Sequence, residues 1–118
     1  MRVHLAWGKV FNQSLQGVHF PESLLTWAFG IMFNQPLLGV TFPASLQTLV
    51  FGFSFNQQRL GMAFPASLQT WTFGEHFGQR LQVVSFSASM QVLAFGVTFD
   101  QPLRGVCFPE SRRILSLV

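Results

Sequence analysis

The heptapeptide FPASLQT occurs twice in this sequence, at residues 42–48 and at residues 64–70, so the second copy begins 22 residues after the first. The same interval separates five phenylalanines that open the pattern F-x-Q, namely Phe11, Phe33, Phe55, Phe77 and Phe99. A fixed interval of about 20–50 residues is typical of proteins built from stacked structural repeats. The heptapeptide is therefore the middle of a repeated unit and not an isolated motif.

The period divides the whole chain into consecutive units without an insertion. Full units cover residues 11–32, 33–54, 55–76 and 77–98, while residues 1–10 match the last part of a unit and residues 99–118 form a shortened one. A single unit of this length cannot bury an apolar face, but stacked units can, because each contributes the same side chains at the same height. We therefore expect one repeat array over residues 1–118.

Equivalent positions of successive units form columns, and several columns keep one residue type. Besides the opening phenylalanine, Phe recurs at positions 20, 42, 64, 86 and 108 and at positions 29, 51, 73 and 95. Another apolar column contains Trp27, Leu49, Trp71, Leu93 and Leu115. Gln at 13, 35, 57, 79 and 101 and Ser at 23, 45, 67, 89 and 111 form invariant polar columns. The apolar columns predict a core of stacked aromatic rings.

Two segments of each unit have the alternation and composition of short strands. One is G-V-x-F-P, as in residues 39–43, and the other is L-x-F-G, as in residues 49–52. Apolar β-branched and aromatic residues at period two, bounded by Gly and Pro, predict strands of three to five residues. We expect Pro to close the first strand and the Gly after the second to adopt a positive φ at a corner.

The column after the opening phenylalanine contains Asn12, Asn34 and Asn56, followed by Gly78 and Asp100. Stacked amide side chains can bond along a repeat or satisfy turn groups, and such bonds offset the cost of removing them from water. We therefore expect the three asparagines to tie successive units together, and Gly78 and Asp100 to interrupt that series.

The repeated pattern resembles a known family. Residues 45–61 and Pro65 resemble S-L-Q-T-L-x-F-G-x-x-F-N-Q-P-L-x-G-V-x-F-P, with Gln58, Arg59 and Met62 in place of its Pro, Leu and Val. The pattern is similar to the FNIP repeat, with Phe33-Asn34-Gln35-Pro36 in place of Phe-Asn-Ile-Pro. The resemblance implies a right-handed, leucine-rich-repeat-like β-solenoid with a ladder of L-x-F strands. Together with the units and strand patterns above, we expect about five 22-residue coils with two short strands per coil and little or no helix. It also implies an array that binds partners and that is attached in other proteins to F-box or kinase modules.

Composition and charge argue against several classes of function. Charged residues make up 9% of the chain, against about 25% in an ordinary globular domain. The net charge of +3 is not gathered in a basic stripe, so we expect no nucleic acid as a partner. Gly, Pro, Gln or Ser interrupts every apolar stretch before it reaches 18 residues, so we expect no membrane either. The single cysteine, Cys107, allows no internal disulfide, and together with the absence of a recognisable signal sequence it predicts a cytoplasmic location.

Residues that could carry chemistry do not converge in the repeat. His4, His19 and His76 stand in different columns, and no two of the four acids occupy adjacent units of one column. The sequence also contains no phosphate-binding glycine motif. We therefore predict no catalytic residue, no bound metal and no cofactor, and expect that the protein is not an enzyme.

Alternation along the L-x-F strands predicts one outward face that is uncharged and formed by small side chains. The residues expected on this partner-binding face are Thr26, Ala28, Thr48, Val50, Thr70, Thr72, Val92 and Ala94. The main functional hypothesis is a scaffold that binds another protein, because a rigid surface loses little entropy on binding. One alternative is a fragment of a longer array with a structural or end-to-end self-assembly role, and a further one is an ice- or surface-binding solenoid.

Overall fold

The computed structural model describes residues 10–37, 39–57, 64–79, 86 and 89–101, together with the backbone of residues 3–6 and 114–117. The strands in these parts of the chain are β1 Val3–Ala6, β2 Leu24–Ala28, β3 Thr48–Val50, β4 Thr70–Thr72, β5 Val92–Phe95 and β6 Ile114–Leu117. They form one sheet in sequence order, and every neighbouring pair is parallel. The described residues contain no helix, so a mainly β fold is confirmed.

The register of the sheet repeats the period of the sequence. Thr48 of β3 lies beside Thr70 of β4, and Leu49 lies beside Trp71 in the same pair of strands. The pairs β2–β3 and β4–β5 have the same 22-residue offset. Parallel neighbours must be joined by a connection that crosses back to the start of the next strand. The rest of each unit forms that return.

Only one of the two strands expected in each unit is present in the described residues. Residues 17–21 and 39–43, which carry the G-V-x-F-P pattern, are not strands. The backbone N–H of Val18 donates to the carbonyl of Leu15, and that of Val40 donates to Leu37, so both segments close local turns. The prediction of two strands per unit is therefore wrong here. The letters alternate as in a strand, but the N–H groups of Val18 and Val40 bond within a turn and not to a neighbouring strand. The equivalent segments of the next two units lie largely outside the described residues.

The glycines that require special backbone conformations are not the ones expected. Gly17 has a φ of 78° and Gly39 a φ of 82°, and no other described glycine has a positive φ. The expectation of a positive φ after the strand is thus wrong. At that position a Cβ on Gly52 would overlap the carbonyl oxygen of Gly30, and a Cβ on Gly74 would overlap that of Gly52. Close approach of neighbouring backbones is the reason for glycine in this column.

Aromatic rings fill the space between the sheet and the return segments. Phe55 is fully buried, and its ring centroid lies 6.2 Å from those of Phe33 and Phe77 in the neighbouring units, with nearly parallel planes. Within its own unit the Phe55 ring stacks on Phe51 at 4.1 Å. On the strand side the inward residues are Trp27, Leu49, Trp71 and Leu93, all of them buried. The core is therefore continuous from unit to unit.

The asparagine column ties the units together as expected. The Oδ1 atom of Asn12 accepts a hydrogen bond from the backbone N–H of Asn34 at 2.8 Å, and the Oδ1 atom of Asn34 accepts one from Asn56 at 2.9 Å. Asn56 in turn accepts from the N–H of Gly78 at 3.0 Å. Gly78 has no side chain to continue the series, so the interruption predicted there is also present.

The glutamine and serine columns add further bonds between neighbouring units. Gln57 donates from its Nε2 atom to the carbonyl oxygen and the Oδ1 atom of Asn34, both at 2.9 Å. Ser45 donates to the carbonyl of Leu24, and Ser67 donates to that of Leu46, each at 2.6 Å. These side chains satisfy backbone groups of the preceding unit, which explains why their chemistry recurs in every unit.

Candidate functional site

The outer strand face consists of the side chains that alternate with the buried residues of β2 to β5. One row runs Thr26–Thr48–Thr70–Val92 and the other runs Ala28–Val50–Thr72–Ala94, because these residues are register partners. All eight residues expected from the sequence at this face are half-buried, while the residues between the rows are buried. The structure thus brings the eight together, and partner binding by them remains a prediction.

A row of amide side chains extends the outer strand face at the start of the strands. The backbone N–H of Gln69 donates to the carbonyl of Gln47 at 2.8 Å, and the N–H of Gln91 donates to Gln69 at 2.8 Å. Pairing between units therefore continues one residue before the strands begin. Neither the two rows of the face nor these glutamines contain an acidic or basic residue, so the surface offers shape and hydrogen bonds but no charge.

Hydrogen bonds at the other end of the strands hold the same face in place. The N–H of Phe29 donates to the carbonyl of Val50 at 2.9 Å, and the N–H of Phe51 donates to that of Thr72 at 2.8 Å. The same bond joins Phe73 to Ala94. Because buried rings pack directly behind these bonds, the face is a rigid platform that has little freedom to lose on binding.

A second surface, which sequence reasoning missed, follows the Phe-Gly pair that comes at the end of each of the strands β2 to β5. The corner ridge is defined here as residues 31–32, 53–54, 75–76 and 97–98, which form the same two-residue turn in four successive units. Ile31, Met32, Phe53 and Val97 are between 47% and 69% exposed. The sequence does contain a sign of this exposure, because these positions lie outside every recurrent apolar column. Their residue types alone do not distinguish them from core residues.

A groove of about 310 Å³ lies on the return side, between the turns of the first two full units. Its floor includes the buried residues Leu15, Val40 and Phe42. Polar side chains reach it only from His19, Glu22 and Thr41, all of which are exposed to solvent. No described hydrogen bond links these three groups, so the groove has no arrangement of an acid, a base and a nucleophile.

The residues that could carry acid–base or metal chemistry are dispersed in the described part of the chain. His19 is exposed, and His76 is exposed with its ring 4.3 Å from that of Phe53. Within the described ranges no three His, Cys, Asp or Glu residues are close enough to hold a metal ion. Cys107, Glu110 and the side chain of His4 lie outside those residues.

No helix in the described residues is long and apolar enough to cross a lipid bilayer.

Sequential parallel strands at a constant offset, with the same side chains bonded from unit to unit, define a β-rich repeat protein. Residues 33–76, which are two complete units, match the family model of the FNIP Repeat. This match confirms the resemblance to the FNIP repeat family that the sequence suggested. A search of curated proteins found no match.

Proposed function

We propose that the chain is a non-catalytic FNIP-type repeat protein that binds a protein partner through the outer strand face. In this proposal the units continue as a right-handed solenoid of about five coils, related to leucine-rich repeats. The observation that carries it is the pair of in-register rows on one sheet, uncharged and half-buried, backed by a continuous aromatic core. Concave or flat surfaces of this kind are what solenoid proteins use for binding.

The chemistry of the face indicates the kind of partner surface it would accept. Threonine hydroxyl groups and glutamine amides can both donate and accept hydrogen bonds. The small side chains between them allow a close approach of another backbone or of a flat apolar surface. Interfaces with this composition gain their affinity from shape and hydrogen bonding, with little dependence on salt.

The proposal is tested by affinity capture with the purified chain as bait and with two bait variants. Thr48→Arg combined with Thr70→Arg places two charges in the middle of the outer strand face. Thr41→Arg adds a charge on the exposed return side, 7 residues before Thr48 in the sequence, and serves as the control. We expect the wild type and the control to retain the same partner, which is then identified and rebound as a pure protein, and the double variant to lose it. Equal capture by all three baits, with circular dichroism unchanged, contradicts the proposal.

A structural or self-assembly role is the second candidate, because β1 and β6 are the outer strands of the described sheet. An outer strand with free N–H and C=O groups can pair with a strand of another chain. This candidate predicts that the mass measured by light scattering rises with protein concentration in the absence of any partner. A constant monomer mass up to high concentration excludes it.

The third candidate, binding to ice or a similar regular surface, finds partial support in the threonine row Thr26–Thr48–Thr70. The neighbouring row contains threonine only at position 72 among Ala28, Val50 and Ala94, so the regular array is incomplete. Thermal hysteresis in a nanolitre osmometer would support this candidate, and its absence removes it.

A further inference from the structure

The exposed large apolar side chains of the described residues all lie at one corner of the fold. They are Val10, Ile31, Met32, Phe53 and Val97. Val10 precedes an opening phenylalanine as Met32 does, so it stands in the same column as Met32. Single exposed apolar residues need no explanation, but here five of them share one edge of the fold, where Glu75 alone separates Phe53 from Val97 along the row. The corner ridge is therefore a second candidate surface, separate from the outer strand face.

The ridge side chains are held at the spacing of the sheet. The N–H of Ser54 donates to the carbonyl of Ile31 at 3.0 Å, and the N–H of His76 donates to that of Phe53 at 3.0 Å. The hydroxyl group of Thr98 donates to the carbonyl of Glu75. Because the turns are bonded to one another, equivalent side chains follow each other at about 4.8 Å, the distance between paired strands.

The size of the ridge decides against a second copy of this chain as the occupant. Four turns span roughly 14 Å between the first and the last, and a width of two residues gives a footprint on the order of 200–300 Å². A stable pair of globular proteins buries about 800 Å² on each partner. The ridge therefore fits one slender segment of a partner better than a rigid domain.

The spacing of the ridge decides between a helical and an extended segment. An α-helix presents one side chain per turn on a given face, about every 5.4 Å, so it drifts from the ridge by about 1.8 Å over three steps. An extended segment presents one side chain every 6.7 Å or so on a given face and drifts by roughly 5.7 Å over the same distance. Only the helix can keep its side chains opposite all four turns.

The charge of the ridge specifies one position of the partner helix. Along the row Ile31–Phe53–Glu75–Val97, Glu75 is the only acidic or basic residue, and the one titratable side chain in the rest of the ridge is His76, whose ring lies 4.3 Å from that of Phe53. An apolar helix stripe would leave its carboxylate against hydrocarbon, which is costly. We propose that the corner ridge docks an amphipathic helix of a partner protein, with apolar side chains opposite Ile31, Phe53 and Val97 and a Lys or Arg opposite Glu75.

The test uses the full chain and a fluorescein-labelled, stapled helical peptide of 16 residues. It carries leucine at its third, seventh and fourteenth positions, arginine at its tenth, and alanine and glutamine elsewhere. The control peptide has glutamate at the tenth position. A second pair of peptides with the order of the four positions reversed covers the opposite helix direction. Fluorescence anisotropy gives the dissociation constant of each peptide up to about 1 mM protein.

We expect one arginine peptide to bind at least about threefold more tightly than its glutamate control, in the range of a solvated ion pair. Glu75→Lys should reverse that preference. Phe53→Ser should weaken binding of the arginine peptide about tenfold, as removal of a central apolar anchor does. Thr41→Asn, an exposed change on the return side, should leave binding unchanged.

The proposal is overturned if neither arginine peptide binds, if arginine and glutamate peptides bind equally, or if Glu75→Lys leaves the preference as it was. A dissociation constant that Phe53→Ser leaves unchanged in a folded protein also overturns it. The assay does not test the outer strand face, because the corner ridge and that face share no residue and every variant in the assay lies outside the face. Failure of the ridge and failure of the face are therefore distinguished.

Discussion

The Oδ1 atom of Asn34 lies 2.9 Å from the backbone nitrogen of Asn56 and accepts its hydrogen bond. The two residues occupy the same position in consecutive units, so each asparagine caps the backbone of the next. Asn34 also accepts from the side chain of Gln57 at 2.9 Å. Beyond the turn that follows the strand, a side chain thus continues the bonding between units that the backbone supplies in the sheet.

Replacing Asn34 with alanine should lower the free energy of unfolding by about 0.5–1.5 kcal/mol, because the N–H of Asn56 loses its acceptor and Gln57 keeps only the Asn34 carbonyl. Asn34→Asp keeps the acceptor oxygen and should retain more of that stability. Urea denaturation followed by circular dichroism measures both variants. Equal stability of the alanine variant and the wild type would show that these bonds contribute nothing.

Gly78 offers the opposite change, since it interrupts the asparagine column. A Cβ at Gly78 meets no atom within 4 Å, and its φ is not positive. Gly78→Ala should therefore raise the free energy of unfolding by about 0.4–1 kcal/mol, because alanine lowers the conformational entropy of the unfolded chain. Gly78→Asn should add about 0.5–1.5 kcal/mol more by accepting from the N–H of Asp100. An asparagine variant no more stable than the alanine variant in urea would contradict this.

Gly52 should not tolerate the same substitution. A Cβ at Gly52 would overlap the Gly30 carbonyl, which belongs to rigid backbone. Gly52→Ala must push two units apart, and overpacking of this kind costs about 1–3 kcal/mol or more. We expect a lower midpoint of thermal unfolding, with Gly78→Ala as the matched control. A Gly52→Ala protein as stable as the control would mean that the units are not as close as described.

Phe53 and Phe55 are two residues apart and should respond very differently to alanine. Phe55 is fully buried and stacks on rings of its own and both adjacent units, whereas Phe53 is 47% exposed. Phe55→Ala should cost about 3–5 kcal/mol or prevent folding. Phe53→Ala should cost less than about 1 kcal/mol. Similar losses for the two variants in denaturant titrations would contradict the assignment of Phe53 to the surface.

The 22-residue period was sufficient to predict the parts of the fold that depend on stacking. It predicted which residues of β2 to β5 point inward, such as Trp27 and Leu49, and which form the outer strand face. It also predicted that Asn34 would bond to the next unit. These features follow because residues at the same position of successive units have the same surroundings, and the sequence alone shows which residues share a position.

Features that depend on local hydrogen bonding could not be predicted from the same letters. Residues 39–43 alternate like a strand, yet the N–H of Val40 bonds to Leu37 within a turn. The glycine with a positive φ is Gly39, while Gly52 is needed for close contact. Phe53 has the same side chain as the core phenylalanines, so residue type hides its exposure, and its position outside their columns is the one sequence signal of it.

Equivalent residues of successive units lie side by side, and engineered disulfides test this arrangement most directly. In a Cys107→Ser background, one variant carries Thr48→Cys and Thr70→Cys, which are register partners, and the other carries Thr48→Cys and Val92→Cys, which are two strands apart. A disulfide needs Cα atoms within about 7 Å, which adjacent strands at about 4.8 Å satisfy and alternate strands at about 9.6 Å do not. Mass spectrometry after mild oxidation should show an intramolecular disulfide in the first variant alone. Two results would contradict this arrangement. One is that both variants form their disulfide as fast as the same variants do when unfolded in denaturant, and the other is that only the second variant forms one.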